Sequence, residues 1–318
     1  MKMTFRPIKE EVIGGHMHRS GWPYVLNSLN PLFDEKSKFV FDDFLEKTIC
    51  NQRVGYKKQI HEEPWVGICH YPFDSPSWYE TEHLSELSSY ESWPESISNL
   101  QLCITLGEEL AAWIRMNWNV PAVALKHPTE IPIITWSKEN FIRNTDPLLI
   151  QVGWYLRNTH AIYQVPTPDY LTKAWLRSGR PIAERNHALC QQYFCPKRSK
   201  VGMVHVIDTV NNDDYDILLS RNIIFVELIT SVANNTVIEC IARNTPIVIN
   251  RHPGPEYYLG KKYPFFYDNI NEVPDLIKID KIIEAHEYLK DIDKTWLSGS
   301  NFRDRFSKEC IKHLYDKC

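Results

Sequence analysis

Residues 221–266, RNIIFVELITSVANNTVIECIARNTPIVINRHPGPEYYLGKKYPFF, decide the fold. Ile223, Ile224, Phe225 and Val226 form a short apolar run, Val237, Ile238 and Ile241 recur at helical spacing, and residues 246–249 make a second apolar run after a turn. The pattern predicts a β-α-β unit in a parallel sheet. Its two loops, residues 231–236 and 250–256, then open on one edge of that sheet. Ligands of open α/β sheets bind there, outside the carboxyl ends of the strands.

Working outward, residues 148–152 (LLIQV) predict another strand that runs into Gly153 and Arg157, and residues 201–207 predict one more, followed by a helix over 213–220. Residues 170–195 read as one or two helices, and residues 281–318 as mostly helical. Toward the N-terminus, strands are expected near residues 5–13, at 39–41, at 65–69 (WVGIC), at 100–106 and at 120–125. Ser20 is a candidate cap for a helix over 22–29, and Asp42 and Asp43 for the start of another. The polar, proline-bearing residues 130–147 suit a linker. The resulting expectation is an α/β protein with two Rossmann-like domains, residues 1–146 and 147–290, and a helical segment 291–318.

The stretch around Glu239 and Glu256 resembles the donor-sugar half of nucleotide-sugar glycosyltransferases of the GT-B type, with a family 4-like donor domain. The carrying pattern is a loop and helix with a glutamate (TVIECIARN), a turn with Pro246, an apolar strand, and a glycine-containing loop with a second glutamate (RHPGPEYYLG). It covers roughly the last 170 residues. The resemblance implies two domains facing across a cleft, Glu239 on the nucleotide ribose, and amides and hydroxyls of Asn234, Asn235 and Thr236 on the diphosphate. It also implies that Gly153 lets the nucleotide approach, that Arg157 meets the phosphates, and that His252, Gly254 and Glu256 touch the donor sugar or its phosphates. Many retaining members carry an acidic residue eight positions before the first glutamate; here Ser231 stands there, with Glu227 nearby but out of register.

Elementary chemistry supports part of this assignment. An arginine presents a planar fork matched to phosphate oxygens, and a helix N-terminus attracts phosphate through free amides and its dipole. Arg251 adds charge suited to a leaving diphosphate. Yet Thr236-x-x-Glu239 also has the spacing of a capping box, in which the glutamate serves the helix start. On the acceptor side, the loop after WVGIC offers His70 and Asp74, with His16 and His18 of GGHMHRSGW as rivals for the base. If configuration is retained, His70 would instead orient the sugar and no protein base is needed. Pro72, Phe73, Pro76, Trp78 and Tyr79 suit a sugar-stacking wall or a rigid packed loop. Lys126 and His127 end the strand 120–125 and read first as a surface pair, while the resemblance would let either face the donor.

A formal charge of −4 over 318 residues disfavours nucleic acid as a partner. No run approaches the apolar length of a membrane span, and the first residues lack a signal peptide's apolar core, so a cytoplasmic protein is expected. Eight scattered cysteines without a CxxC pair support neither a zinc ribbon nor a dithiol site. The His16-x-His18 pair lacks a third ligand. Asp214-Tyr215-Asp216 and Asp291-Ile292-Asp293 match the D-x-D of metal-dependent glycosyltransferases in letters but sit in polar helical contexts. No GxGxxG follows a strand, which disfavours a dehydrogenase. The expectation is therefore metal-independent transfer, with no cofactor, of a hexosyl or pentosyl group from a nucleotide sugar to a hydroxyl of a carbohydrate acceptor. A catalytically silent sugar- or nucleotide-binding module and a GT-B type sugar-nucleotide epimerase are the alternatives.

Overall fold

The computed structural model describes residues 3–8, 21–50, 60–81, 83–195 and 203–315. They form two compact units, one of Met1–Asp74, Glu82–Glu130 and Thr295–Cys318, the other of Ser75–Thr81 and Ile131–Lys294.

In the first unit the chain runs β1 (Arg6–Pro7), α1 (Trp22–Leu29), β2 (Val40–Asp42), α2 (Leu45–Ile49), β3 (Trp65–Cys69), α3 (Trp93–Ser98), β4 (Leu100–Thr105), α4 (Glu108–Asn117) and β5 (Ala122–Ala124). The five strands lie side by side in sequence order, all parallel. β2 to β5 are short and largely apolar, as strands covered on both faces must be, whereas β1 at the edge is only Arg6–Pro7 and half-buried. Proline starts α1, and Glu108 and Glu109 open α4 where the helix dipole favours acids, with Arg115 in its last turn. Phe5, Phe41, Val66 and Ile104 are buried together with Phe302 and Phe306. Phe306 meets both Phe5 and Phe41 edge-on at 5.5 Å.

The second unit runs α5 (Lys138–Arg143), β6 (Leu148–Val152), α6 (Ala161–Gln164), β7 (Thr172–Leu176), α7 (Pro181–Phe194), β8 (His205–Ile207), α8 (Asn212–Arg221), β9 (Ile223–Val226), α9 (Asn235–Arg243), β10 (Ile247–Asn250), α10 (Pro253–Leu259), β11 (Phe266–Tyr267), α11 (Val273–Leu276) and α12 (Ile279–Asp291). Its sheet has the order β11-β10-β9-β6-β7-β8, again parallel throughout. Counted from β8, this is the doubly wound order 3-2-1-4-5-6, whose switch point lies between β6 and β9. The loops after these two strands therefore diverge around one crevice. The last helix, α13 (Gly299–Tyr315), returns to the first unit, where it lies against α1.

Several sequence expectations change. Asp42 starts no helix: it ends β2, accepts from the Phe44 amide at 3.0 Å and is joined to His61 at 2.9 Å. Gly21, not Ser20, is the N-cap of α1. Residues 170–195 contain the strand β7 before their helix, because TKAWL extends beside β6 and Lys173 donates its ammonium to the Tyr163 and Val165 carbonyls. Residues 131–147 are no free linker: Trp136 is buried, its indole NH donating to the Asn222 carbonyl at 3.0 Å. The unit boundary thus falls after Glu130, and Ser75–Thr81 crosses into the second unit. Seven cysteines among the described residues are free thiols.

Candidate functional site

At the switch point, the turn after β6 and the start of α9 converge. Gly153 has φ 75 and Leu156 φ 52, so the chain doubles back sharply between them. This return lays the Arg157 guanidinium over Gly153: a Cβ there would stand 1.9 Å from Nη1. Glycine is required both by the backbone angle and by the guanidinium above it. Arg157 Nη2 donates to Asn234 Oδ1 at 2.8 Å and to Thr236 Oγ1 at 3.1 Å. Arg157 is only 8% exposed, and its Nε has no hydrogen-bond partner among the described residues. Burial lowers its pKa, partly offset by Tyr215, Tyr79 and Glu239.

Asn234 is the N-cap of α9, its side chain accepting from the Val237 amide. The helix N-terminus and a buried cation thus share one spot, and both favour an anion. Asn235, the first helical residue, is exposed. The capping-box reading of Glu239 fails, because Asn234 and not Thr236 is the N-cap, which makes Glu239 the fifth helical residue and not the third. Instead the carboxylate, 1% exposed, accepts from the Tyr215 hydroxyl at 2.6 Å. Four residues on, Arg243 pairs with Asp216 from the same α8 turn. Those two contacts fasten α8 to α9 and hold Glu239 in place.

The second loop approaches closely. A Cβ on Gly254 would stand 2.3 Å from the Ser231 carbonyl oxygen and 3.0 Å from that of Val232, so glycine lets α10 start against the first loop. His252 is its N-cap, Nδ1 accepting from the Gly254 amide at 3.3 Å. Glu256 is bonded to Arg251 at 2.9 Å, and Arg251 also reaches Asp268. Glu227 is fixed elsewhere: it accepts from Asn158 and Tyr267, and burial raises its pKa.

In the first unit, His70 Nε2 donates to the Asp43 carbonyl at 2.9 Å, which leaves Nδ1 as the unprotonated nitrogen. The ring stacks on Phe44 at 4.0 Å and meets Trp22 edge-on at 4.3 Å. Burial pulls its pKa down to about 3 against that carbonyl bond, so the imidazole is neutral and weakly basic. Asp74 is exposed and near Glu109, whose pKa is raised by burial and then by Asp74. His16 and His18 lie outside the described residues. His127 is buried with Nδ1 against the Pro128 carbonyl, and Lys126 lies over Trp296. Phe73 stacks on Trp113 within the first unit, and Trp78 stacks on Tyr193 within the second.

Asp214 and Asp216 are not arranged as a carboxylate pair: Asp216 is taken by Arg243, and Asp214 accepts from Asn211 at the start of α8. No group of three or more His, Cys, Asp or Glu suited to a metal occurs among the described residues, and none of their helices is long and apolar enough to cross a membrane. Two side chains that hold these candidate residues in place, Tyr215 and Glu46, were not expected from the sequence. The tyrosine was hidden inside a D-x-D pattern, and Glu46 carried no local signal at all. Glu46 is fully buried beside the His70 loop, where its Oε1 accepts from Cys69 Sγ and from the amides of His70 and Tyr71.

No protein-family model matches the chain, and no curated protein matches it. Solved structures do. A trehalose-6-phosphate synthase, OtsA, superposes with a TM-score of 0.56 at 10% identity, over 93% of this chain and 76% of that one. A UDP-forming α,α-trehalose-phosphate synthase from Burkholderia vietnamiensis gives 0.51 at 12% identity, over 93% and 76%. A sucrose-phosphate synthase from Thermosynechococcus elongatus gives 0.54 at 13% identity, over 89% and 74%. At such identities the likeness is one of fold, and the chain has the GT-B fold of these proteins, two Rossmann-like α/β units on parallel sheets.

Proposed function

We propose that this chain transfers a sugar from a nucleoside-diphosphate sugar to a hydroxyl of a carbohydrate acceptor, without a metal ion. The observation that carries the reading is Arg157, a buried cation that no carboxylate pairs among the described residues, beside the free amides of the α9 N-terminus. A buried charge left without an ionic partner is costly unless a ligand completes it. A diphosphate would. Charge develops on the departing diphosphate as the glycosidic bond breaks, so a preorganised cation and helix end lower the barrier most at that point.

Asn234, Asn235 and Thr236 would offer amides and hydroxyls to the phosphates, and Glu239 would accept a ribose hydroxyl while Tyr215 steadies it. His252 and Gly254 would line the donor sugar, with Glu256 orienting Arg251 toward the same ligand. His70, neutral and weakly basic, suits a hydrogen bond to a substrate hydroxyl better than proton abstraction, as expected where no protein base is needed. Asp74 and His16 are then the remaining candidate bases. Uridine diphosphate is the first nucleotide to try, since fold relatives are UDP-forming.

The test is thermal unfolding against UDP, GDP, ADP, dTDP and CMP, with and without chelator. A ligand of the folded state raises stability by mass action. A chelator-insensitive shift from one nucleoside diphosphate, reduced in Arg157→Gln and in Glu239→Ala, is expected. The absence of any shift overturns the reading, and a shift seen only with added metal overturns its metal-free part.

A further inference from the structure

Between β3 and α3 the chain leaves the first unit after Asp74, spends Ser75–Thr81 in the second, and returns at Glu82. The excursion is firmly anchored. The Glu80 amide donates to Asn186 Oδ1 at 2.9 Å while the Glu80 carbonyl accepts from Asn186 Nδ2 at 3.0 Å, and Arg185 adds an ion pair to Glu80. Trp78 stacks on Tyr193 at 4.2 Å. All three partners lie on α7.

The strap delivers one side chain into the interior, Tyr79, which is 1% exposed and packs on Leu156 and Cys190. Its hydroxyl donates to the Trp154 carbonyl at 2.7 Å and accepts from the Leu156 amide at 2.9 Å. Those two backbone groups sit inside the turn that lays Arg157 over Gly153. Leu156 holds a left-handed angle unusual for a branched side chain, a conformation that persists only when its surroundings hold it. A phenol that donates to one backbone group and accepts from another two residues on is such a hold. Burial pushes the Tyr79 hydroxyl's pKa up, so it keeps the proton it donates.

We propose that Tyr79 is a positioning residue for the anion site: it closes the turn from Gly153 to Arg157 and so sets the guanidinium against Asn234 and Thr236. The proposal rests on the donor-binding reading for its ligand, but not for its geometry. Tyr79→Phe keeps the ring in its apolar cluster and removes only the hydroxyl. Calorimetry with inorganic pyrophosphate and with UDP should show affinity falling roughly threefold to tenfold, the size of one buried hydrogen-bonding group. In an Arg157→Gln background the same change should cause no further loss, because Tyr79 acts through Arg157. Hydrogen exchange of the Leu156 amide should be faster in Tyr79→Phe, with the β9 and β10 amides unchanged.

Unchanged affinity together with unchanged Leu156 exchange overturns the proposal. So does an equal loss in the Arg157→Gln background, since Tyr79 would then act independently. Should the unmutated protein bind neither probe, the donor reading falls, and the Leu156 exchange rate alone decides the positioning role. Global loss of exchange protection in Tyr79→Phe would mark a general packing residue and also overturn it.

Discussion

Raising the pH from 5 to 8 should weaken the first unit through a single side chain, Glu46. Three donors converge on its Oε1, and Oε2 has no hydrogen-bond partner among the described residues. Burial raises its pKa to about 7, against the pull of the Tyr71, Cys69 and His70 donors. In the unfolded chain a glutamate titrates near 4.3. Below that value both states hold the proton, and above 7 both have lost it, so the term is flat in each range. Between them the folded state keeps a proton that the unfolded chain has released. Stability is therefore full below about pH 4.5 and declines as pH rises to about 7, by roughly 3 kcal/mol for a shift of this size. Glu46→Gln keeps an acceptor for the His70 and Tyr71 amides but cannot ionise. Hydrogen exchange of the β3 and β4 amides at the two pH values reads opening of this unit alone. The decline between pH 5 and 8 should be present in the natural chain and smaller by about that amount in Glu46→Gln. Equal pH dependence in the two proteins would refute the reasoning.

Gly153→Ala should cut diphosphate affinity about tenfold to a hundredfold in calorimetry, because its Cβ occupies the place of Arg157 Nη1; undiminished binding would contradict the described turn. Tyr215→Phe should raise the donor KM with kcat little changed, as loss of uniform binding does, and a fall in kcat alone would argue against the ribose role of Glu239. Asp216→Ala leaves Arg243 buried and unpaired, so denaturant unfolding should show a loss of about 3–5 kcal/mol. A loss below 1 kcal/mol would mean the pair is not buried as described. In an active enzyme, His70→Asn should leave the pH-rate profile between 5 and 8 unchanged in shape, since His70 titrates near 3; a limb lost in the variant would make it the base after all.

The sheet strands were legible because buried parallel strands are written as short apolar runs, and 223–226, 247–250 and 65–69 say so plainly. β7 was not: TKAWL alternates weakly and is held by its neighbour β6, a non-local pairing that composition cannot carry. Gly153, Arg157, Asn234 and Thr236 were anticipated from the resemblance to GT-B donor domains, with the arginine's fork of donors and a helix N-terminus adding physical support, although the cap is Asn234 and not Thr236. Which hydrogen-bond donor Glu239 faces could not be anticipated, since Tyr215 lies on another helix and reaches it only through the packing of α8 on α9. The same holds for Glu46 and Tyr79, whose partners are backbone groups that sequence does not label.

The path of the chain also sets when each unit can finish folding. Unit boundaries at Asp74, Thr81, Glu130 and Lys294 mean that no single cut separates the two. Removing residues 1–130 to isolate the second unit takes Tyr79 with it. Likewise, the core of the first unit contains Phe302 and Phe306 on α13, so a ribosome releasing the chain must emit the second unit before that core can close. Until then Phe5 and Phe41 lack their edge-on partner, and strands made early wait on a helix made only after the whole of the second unit.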